Sequence, residues 1–169
     1  MKFHGHACPG LAIGVMAASY ILDHGADFSV DEELVAIVEN DNCSVDGIQA
    51  LLGTTFGKGN LIFKDFGKNS YTFFNRKKNK AVRLSLKENI FSNKDLSRDE
   101  RIVELLNSRP EDIFEIKEAD INAPEYAKMR DSIVCYNCGE ETMETKVREL
   151  NGVMLCIPCH EEETKKSLS

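Results

Sequence analysis

Two C-x-x-C pairs, Cys135/Cys138 and Cys156/Cys159, separated by seventeen residues, fix what the C-terminal part of this chain can become. Four thiolates meet the tetrahedral demand of zinc, and this spacing is that of a four-cysteine finger. Gly139 behind the first pair suits a knuckle turn, and Asn151-Gly152 predicts a hairpin between the pairs. A site closed by four protein ligands is structural rather than catalytic. The same stretch contains Cys156-Ile-Pro-Cys-His160, which formally matches a c-type haem attachment site, but haem would leave Cys135 and Cys138 without a role.

Four of the six cysteines thus fall at metal spacing, which argues against a secreted disulfide framework and for a reducing, cytoplasmic setting. With 169 residues, 42% of them hydrophobic, the chain suffices for one domain of ordinary size and a small appendix. A formal net charge of −7 argues against nucleic acid held by bulk electrostatics. The one basic run, residues 76–83, reads as a Lys-rich hairpin tip. The apolar residues 11–19 could pass for a leader's hydrophobic region, but the His, Cys and Pro before them are atypical of one. Gly14 breaks a run already too short to span a bilayer, so no membrane partner is expected.

The second concentration of metal-type ligands is Phe3-His-Gly-His-Ala-Cys-Pro-Gly10. If extended, the stretch places His4, His6 and Cys8 on one face. Pro9 then predicts a helix start, with Leu11, Val15, Ala18 and Leu22 at helical spacing and Gly25 as a stop. Residues 33–41 read as a buried strand running into a second helix over 42–53, with Asn42 or Cys43 as its cap and Asp46 in its first turn. Cys8 and Cys43 therefore both lie at helix starts, where the dipole favours a thiolate. Such junctions converge at one edge of a sheet in α/β folds. The loop 53–60 holds three glycines around Lys58; it is no Walker loop and reads as flexible, with an anion clamp as its functional alternative. Residues 60–67, 70–76 and 80–88 read as strands, 97–108 as a capped amphipathic helix, 112–120 as a strand and 122–132 as a linker. A nucleobase deaminase is excluded, because His4-Gly5-His6 lacks the glutamate of H-x-E and Pro158-Cys159 has no following C-x-x-C.

Together, His4 to Gly10, the segment Asp41 to Leu61 and the terminal four-Cys finger resemble the FmdE family, which takes its name from formylmethanofuran dehydrogenase. The family's H-G-H-x-C-P-G element falls on His4 to Gly10, and its later cysteine with Asp and Gln falls on Cys43, Asp46 and Gln49. The resemblance implies an α+β fold, a thioredoxin-like core with a mixed sheet flanked by helices over residues 1–131. It also implies a treble-clef zinc finger over residues 132–169, a homodimer, and a metal-binding site in the core. The family name records association with a molybdenum or tungsten oxidoreductase, which implies a protein partner and C1 or redox metabolism.

Two readings of the N-terminal patch follow. As an enzyme, the chain would hold zinc or another transition metal through His6, Cys8 and Cys43 with one position open, His4 supporting the centre or shuttling a proton and Asp46 orienting a partner. As a binding protein, the same ligands would carry or sense a metal, and the finger, with its structural zinc on Cys135, Cys138, Cys156 and Cys159, would dock the partner.

Overall fold

The computed structural model describes residues 2–92 and 95–167. It divides into two compact units, residues 1–127 and 128–169.

In the first unit, Pro9 opens helix α1 (Pro9–Asp23), and the Cys8 sulfur caps it by accepting from the Leu11 amide at 3.3 Å. Strand β1 (Leu34–Val38) is buried on both faces, as its continuous apolar run demands. It leads into helix α2 (Ser44–Leu52), closed by Gly53 in the left-handed conformation (φ +68°). Asn42, rather than Cys43, satisfies the start of α2: its Oδ1 accepts from the Ser44 amide at 2.9 Å. Strands β2 (Leu61–Phe63), β3 (Ser70–Asn75) and β4 (Lys80–Leu86) follow. Helix α3 (Arg98–Asn107) starts at a reciprocal capping box between Ser97 and Glu100. A single helical turn, α4 (Pro110–Ile113), which the sequence patterns did not predict, leads into β5 (Phe114–Ala119).

The five strands form one mixed sheet in the order β2-β1-β3-β4-β5, with β1 parallel to β2 and the other pairs antiparallel. Strand alternation sorts its residues. Leu34, Ala36, Val38, Tyr71, Phe73 and Leu84 join Ala17, Ile48, Leu105 and Phe114 in the main core, while Val35, Phe74 and Ala81 form a smaller cluster. Residues 120–131 have no regular secondary structure. Up to Ala127 they are pinned by Arg76, which donates to the carbonyls of Pro124 (2.7 Å) and Glu125 (3.1 Å) and stacks on Tyr126 at 3.8 Å. Arg76 therefore serves the fold and not a solvated hairpin tip.

Tyr71 ties the core to the start of α2. It is fully buried, meets Phe114 edge-on at 6.3 Å, and donates its hydroxyl to Ser44 Oγ at 2.6 Å. Burial pushes its phenol above the ordinary value of 10.0, against the opposing hydrogen bonds of Ser44 and Asn40. The unfolded phenol ionises first, so stability is insensitive to this group below pH 10 and falls as pH rises from there towards the folded-state value. Tyr71→Phe should cost about 1 kcal/mol at neutral pH through the lost hydrogen bond. It should also remove up to about 1.4 kcal/mol per pH unit of destabilisation above pH 10. Urea unfolding at pH 8 and pH 11 measures both; an unchanged alkaline slope would refute the assignment.

The second unit contains two hairpins and a helix. Strands β6 (Ser132–Val134) and β7 (Glu141–Met143) flank the first cysteine pair, and a 3-10 turn (Glu144–Lys146) leads to β8 (Val147–Leu150) and β9 (Val153–Cys156). Asn151 and Gly152 both adopt positive φ (52° and 81°), the backbone of a tight hairpin turn. Helix α5 (Ile157–Ser167) completes the unit, with Cys159 in its first turn. Among the described residues, no helix is long and apolar enough to cross a membrane.

Candidate metal centres

In the second unit the four thiols of Cys135, Cys138, Cys156 and Cys159 lie within 4.8 Å of one another. Local backbone makes the first knuckle: the Gly139 amide donates to the Cys135 carbonyl at 2.9 Å, and Gly139 itself is left-handed (φ +76°). The Cys156 amide donates to Cys135 Sγ at 3.3 Å. Backbone amides of Cys138 and Cys156, outweighing burial, lower the Cys135 thiol to about 6. Such amides favour the thiolate that zinc requires.

The first unit gathers a second set. One nitrogen of His4 and the sulfurs of Cys8 and Cys43 all lie within 4.8 Å. They come from three places: the turn before α1, the cap of α1, and the residue preceding α2. His4 Nδ1 is 2.7 Å from Asp46 Oδ2; a carboxylate accepts, so Nδ1 donates, and Nε2 faces Cys8 Sγ at 3.7 Å. Gln49 Nε2 donates to the other oxygen of Asp46 at 3.3 Å. The carboxylate therefore holds the imidazole, and the amide holds the carboxylate, the arrangement that orients histidine ligands of metals.

The two thiols are not equivalent. Burial pushes Cys8 up, but the Leu11 amide, the Cys43 thiol and His4 outweigh it, and its pKa falls below the ordinary value. Burial and the neighbouring Cys8 both push Cys43 up. The hydrogen bond to Asp46 raises His4 above 6.5 against the opposing effect of burial. Imidazole nitrogen and two thiol sulfurs are the donor set suited to zinc and similar borderline metals.

The structure brings His4, and not the expected His6, next to Cys8 and Cys43. Residues 2–6 form turns and bends instead of an extended strand, with Gly5 at φ +89°, a conformation that side chains rarely tolerate. The period-two alternation is lost, and His4 turns back onto Cys8. His6 is exposed and outside the cluster, its ring centroid 4.5 Å from that of His4.

Helix packing brings Cys8 and Cys43 together. Gly14 of α1 and Gly47 of α2 let the two backbones touch: a Cβ on Gly14 would stand 1.9 Å from the Ser44 carbonyl oxygen, and one on Gly47 2.9 Å from the Val15 amide. A Cβ on Gly10 would lie 3.2 Å from the Cβ of Cys43. The Gly10-x-x-x-Gly14 spacing, visible in the sequence, was the missed signal for this contact.

Lys58 turns onto the protein's own backbone. Its ammonium donates to the carbonyls of Ser29 (2.6 Å) and Val30 (3.3 Å), so it anchors its own loop.

Comparison with known proteins agrees with this two-part organisation. A solved FmdE-like protein of Syntrophus aciditrophicus, related by its description to tungsten formylmethanofuran dehydrogenase, superposes with a TM-score of 0.71 at 23% identity. The match covers 95% of this chain and 88% of that one, and the likeness is one of fold. A protein of Archaeoglobus fulgidus, named a probable S-adenosyl-L-methionine-binding protein, is 33% identical over 94% of this chain; the chain spans half of that relative's length. The family model for a prokaryotic dksA/traR C4-type zinc finger matches residues 130–165. Residues 3–131 match the model described as FmdE, molybdenum formylmethanofuran dehydrogenase operon, and the chain belongs to that family.

Proposed function

We propose that this chain is a metal-binding accessory protein in which His4, Cys8 and Cys43 hold one transition metal, zinc by donor chemistry, and the four finger cysteines hold a second, structural zinc. The observation that carries the reading is the convergence of the three ligand atoms with a histidine already oriented by Asp46 and Gln49. Three protein ligands leave a tetrahedral ion one open position, which favours a site that activates water or substrate. A bound metal would act there as a Lewis acid. Asp46 keeps the His4 proton on Nδ1, and burial of Cys8 limits competing solvent. The family context suggests work beside a molybdenum or tungsten oxidoreductase of C1 metabolism, with the finger docking that partner.

The second reading, a carrier or sensor without turnover, rests on His6. Its ring lies next to that of His4, and a small rotation of the turn around Gly5 would bring a fourth ligand that closes the site. The strand order β2-β1-β3-β4, with β3 antiparallel to its neighbours, supports a thioredoxin-like core. The knuckle, hairpin and helix that carry the finger cysteines support a treble clef, and we place the two domains at residues 1–131 and 132–169. Six cysteines with no disulfide among them support a reducing, cytoplasmic setting; the homodimer is part of this proposal, and light scattering should give twice the chain mass.

Cys8→Ala and Cys43→Ala should each reduce bound metal from two ions per chain to one while the finger keeps its zinc. Elemental analysis of the full chain, with thiol absorption of a cobalt-substituted sample, measures this. Either variant retaining two ions would sink the core site. His6→Ala should leave stoichiometry at two and, if His6 is not a ligand, leave the cobalt spectrum unchanged.

A further inference from the structure

Beside the His4–Cys8–Cys43 cluster lies a cleft of about 330 Å³ with His4, Cys43, Asp41, Asp46, Phe56 and Phe63 in its lining. No Lys or Arg contributes to that lining among the described residues. Its three carboxamides carry no charge, and each already gives one N–H to a neighbour. Asn40 Nδ2 already donates to the Lys68 carbonyl at 2.7 Å, Asn42 Nδ2 to Asn69 Oδ1 at 2.8 Å, and Gln49 Nε2 to Asp46 at 3.3 Å. Two thiolates neutralise a divalent ion, so a filled centre adds no positive charge, and Asp41 and Asp46 leave the cleft negative. Phe56 (66% exposed) and Phe63 (38% exposed) offer aromatic surface, and an aromatic face attracts a cation placed within about 6 Å of its centroid.

We infer that this cleft takes a small organic cation, an amine or amidine with an apolar body, and turns away carboxylates and phosphates. The inference rests on the core metal site proposed above and adds the charge of what that site binds. A ligand of this class would present its neutral donor or reacting group to the metal's open position. Its cationic end would lie towards Asp41 and its carbon skeleton against Phe56 and Phe63. A carboxylate in the same place would face two carboxylates in a partly enclosed site, with no cationic side chain in the lining to compensate.

The test uses the full chain loaded with cobalt(II) and three probes that share one metal-binding ring and differ in charge: histamine, imidazole and imidazole-4-acetate. Each is titrated by the visible absorption of the cobalt site, with Cys43→Ala as the blank that removes the core signal and leaves the finger's. Histamine should bind about tenfold more tightly than imidazole, and imidazole-4-acetate about tenfold more weakly. Asp41→Asn, an exposed substitution outside the cluster, should compress that range to a few-fold. Equal affinities, or tightest binding of the acetate, would overturn the inference while leaving the metal site standing. Absence of any cobalt signal that depends on Cys43 would overturn both.

Discussion

Cys138→Ser is expected to release the finger's zinc and unfold residues 128–169 while the first unit stays folded. The finger's buried cluster consists of Cys135, Leu155, Cys156 and Cys159, with Leu150 and Val153 packed on it, so half of the six residues are metal ligands. Apolar burial on that scale cannot offset the entropy of ordering some forty residues at about 1–2 kcal/mol each. Metal binding must supply the difference, and structural zinc contributes on the order of 10–16 kcal/mol in isolated fingers at neutral pH. Cys138 is the one ligand that is exposed, so its replacement removes a zinc bond with little loss of packing. Zinc per chain should fall by one, and amide resonances of the finger should collapse to the unfolded region. A well-dispersed finger spectrum, or unchanged zinc, would show that hydrophobic packing alone holds the module.

Gly14→Ala should be the most damaging single methyl group in the first unit. The added carbon would stand 1.9 Å from the backbone oxygen of Ser44, and backbone cannot rotate away as a side-chain tip can. Helices α1 and α2 would have to separate. Overpacking against a well-packed neighbour costs about 1–3 kcal/mol, and a backbone collision lies at or above the top of that range. For a chain of this length, about 3 kcal/mol lowers Tm by roughly 10 °C. The same displacement moves Ser44, and with it Cys43, away from Cys8, so core metal affinity should fall together with stability. Gly57→Ala is the control: nothing lies within 4 Å of its Cβ position, and Tm should stay within a degree or two. Calorimetry and metal titration of both variants measure the coupling; a Gly14→Ala protein with unchanged Tm and unchanged core metal would refute the close helix crossing.

Much of this molecule was legible in residue order because its determinants are local. The spacing of Cys135, Cys138, Cys156 and Cys159 picked out the thiols that meet within 4.8 Å, since a knuckle is made by three or four consecutive residues and its glycine. Ser97 and Glu100 marked the start of α3, and the unbroken apolar run Leu34–Val38 marked a strand buried on both faces. Each of these signals depends on backbone angles and neighbours within one turn or one strand.

The core cluster was legible only in part. Residue order placed Cys8 and Cys43 at helix starts, which is where they lie, but favoured His6 over His4 through the assumption of an extended stretch. A turn at Gly5 overrides that period, because glycine tolerates φ of +89° and the hydrogen bond from His4 to Asp46, 42 residues away, fixes the result. The single helical turn at Pro110–Ile113 was likewise too short to leave a periodic pattern. Residue order alone therefore determined which side chains have the chemistry of metal ligands and on which elements they begin. The tertiary structure decided which of them lie together, because that depends on how closely α1 and α2 approach through Gly14 and Gly47: the Gly10-x-x-x-Gly14 spacing marks a helix face that a neighbour can approach, but not which helix does so.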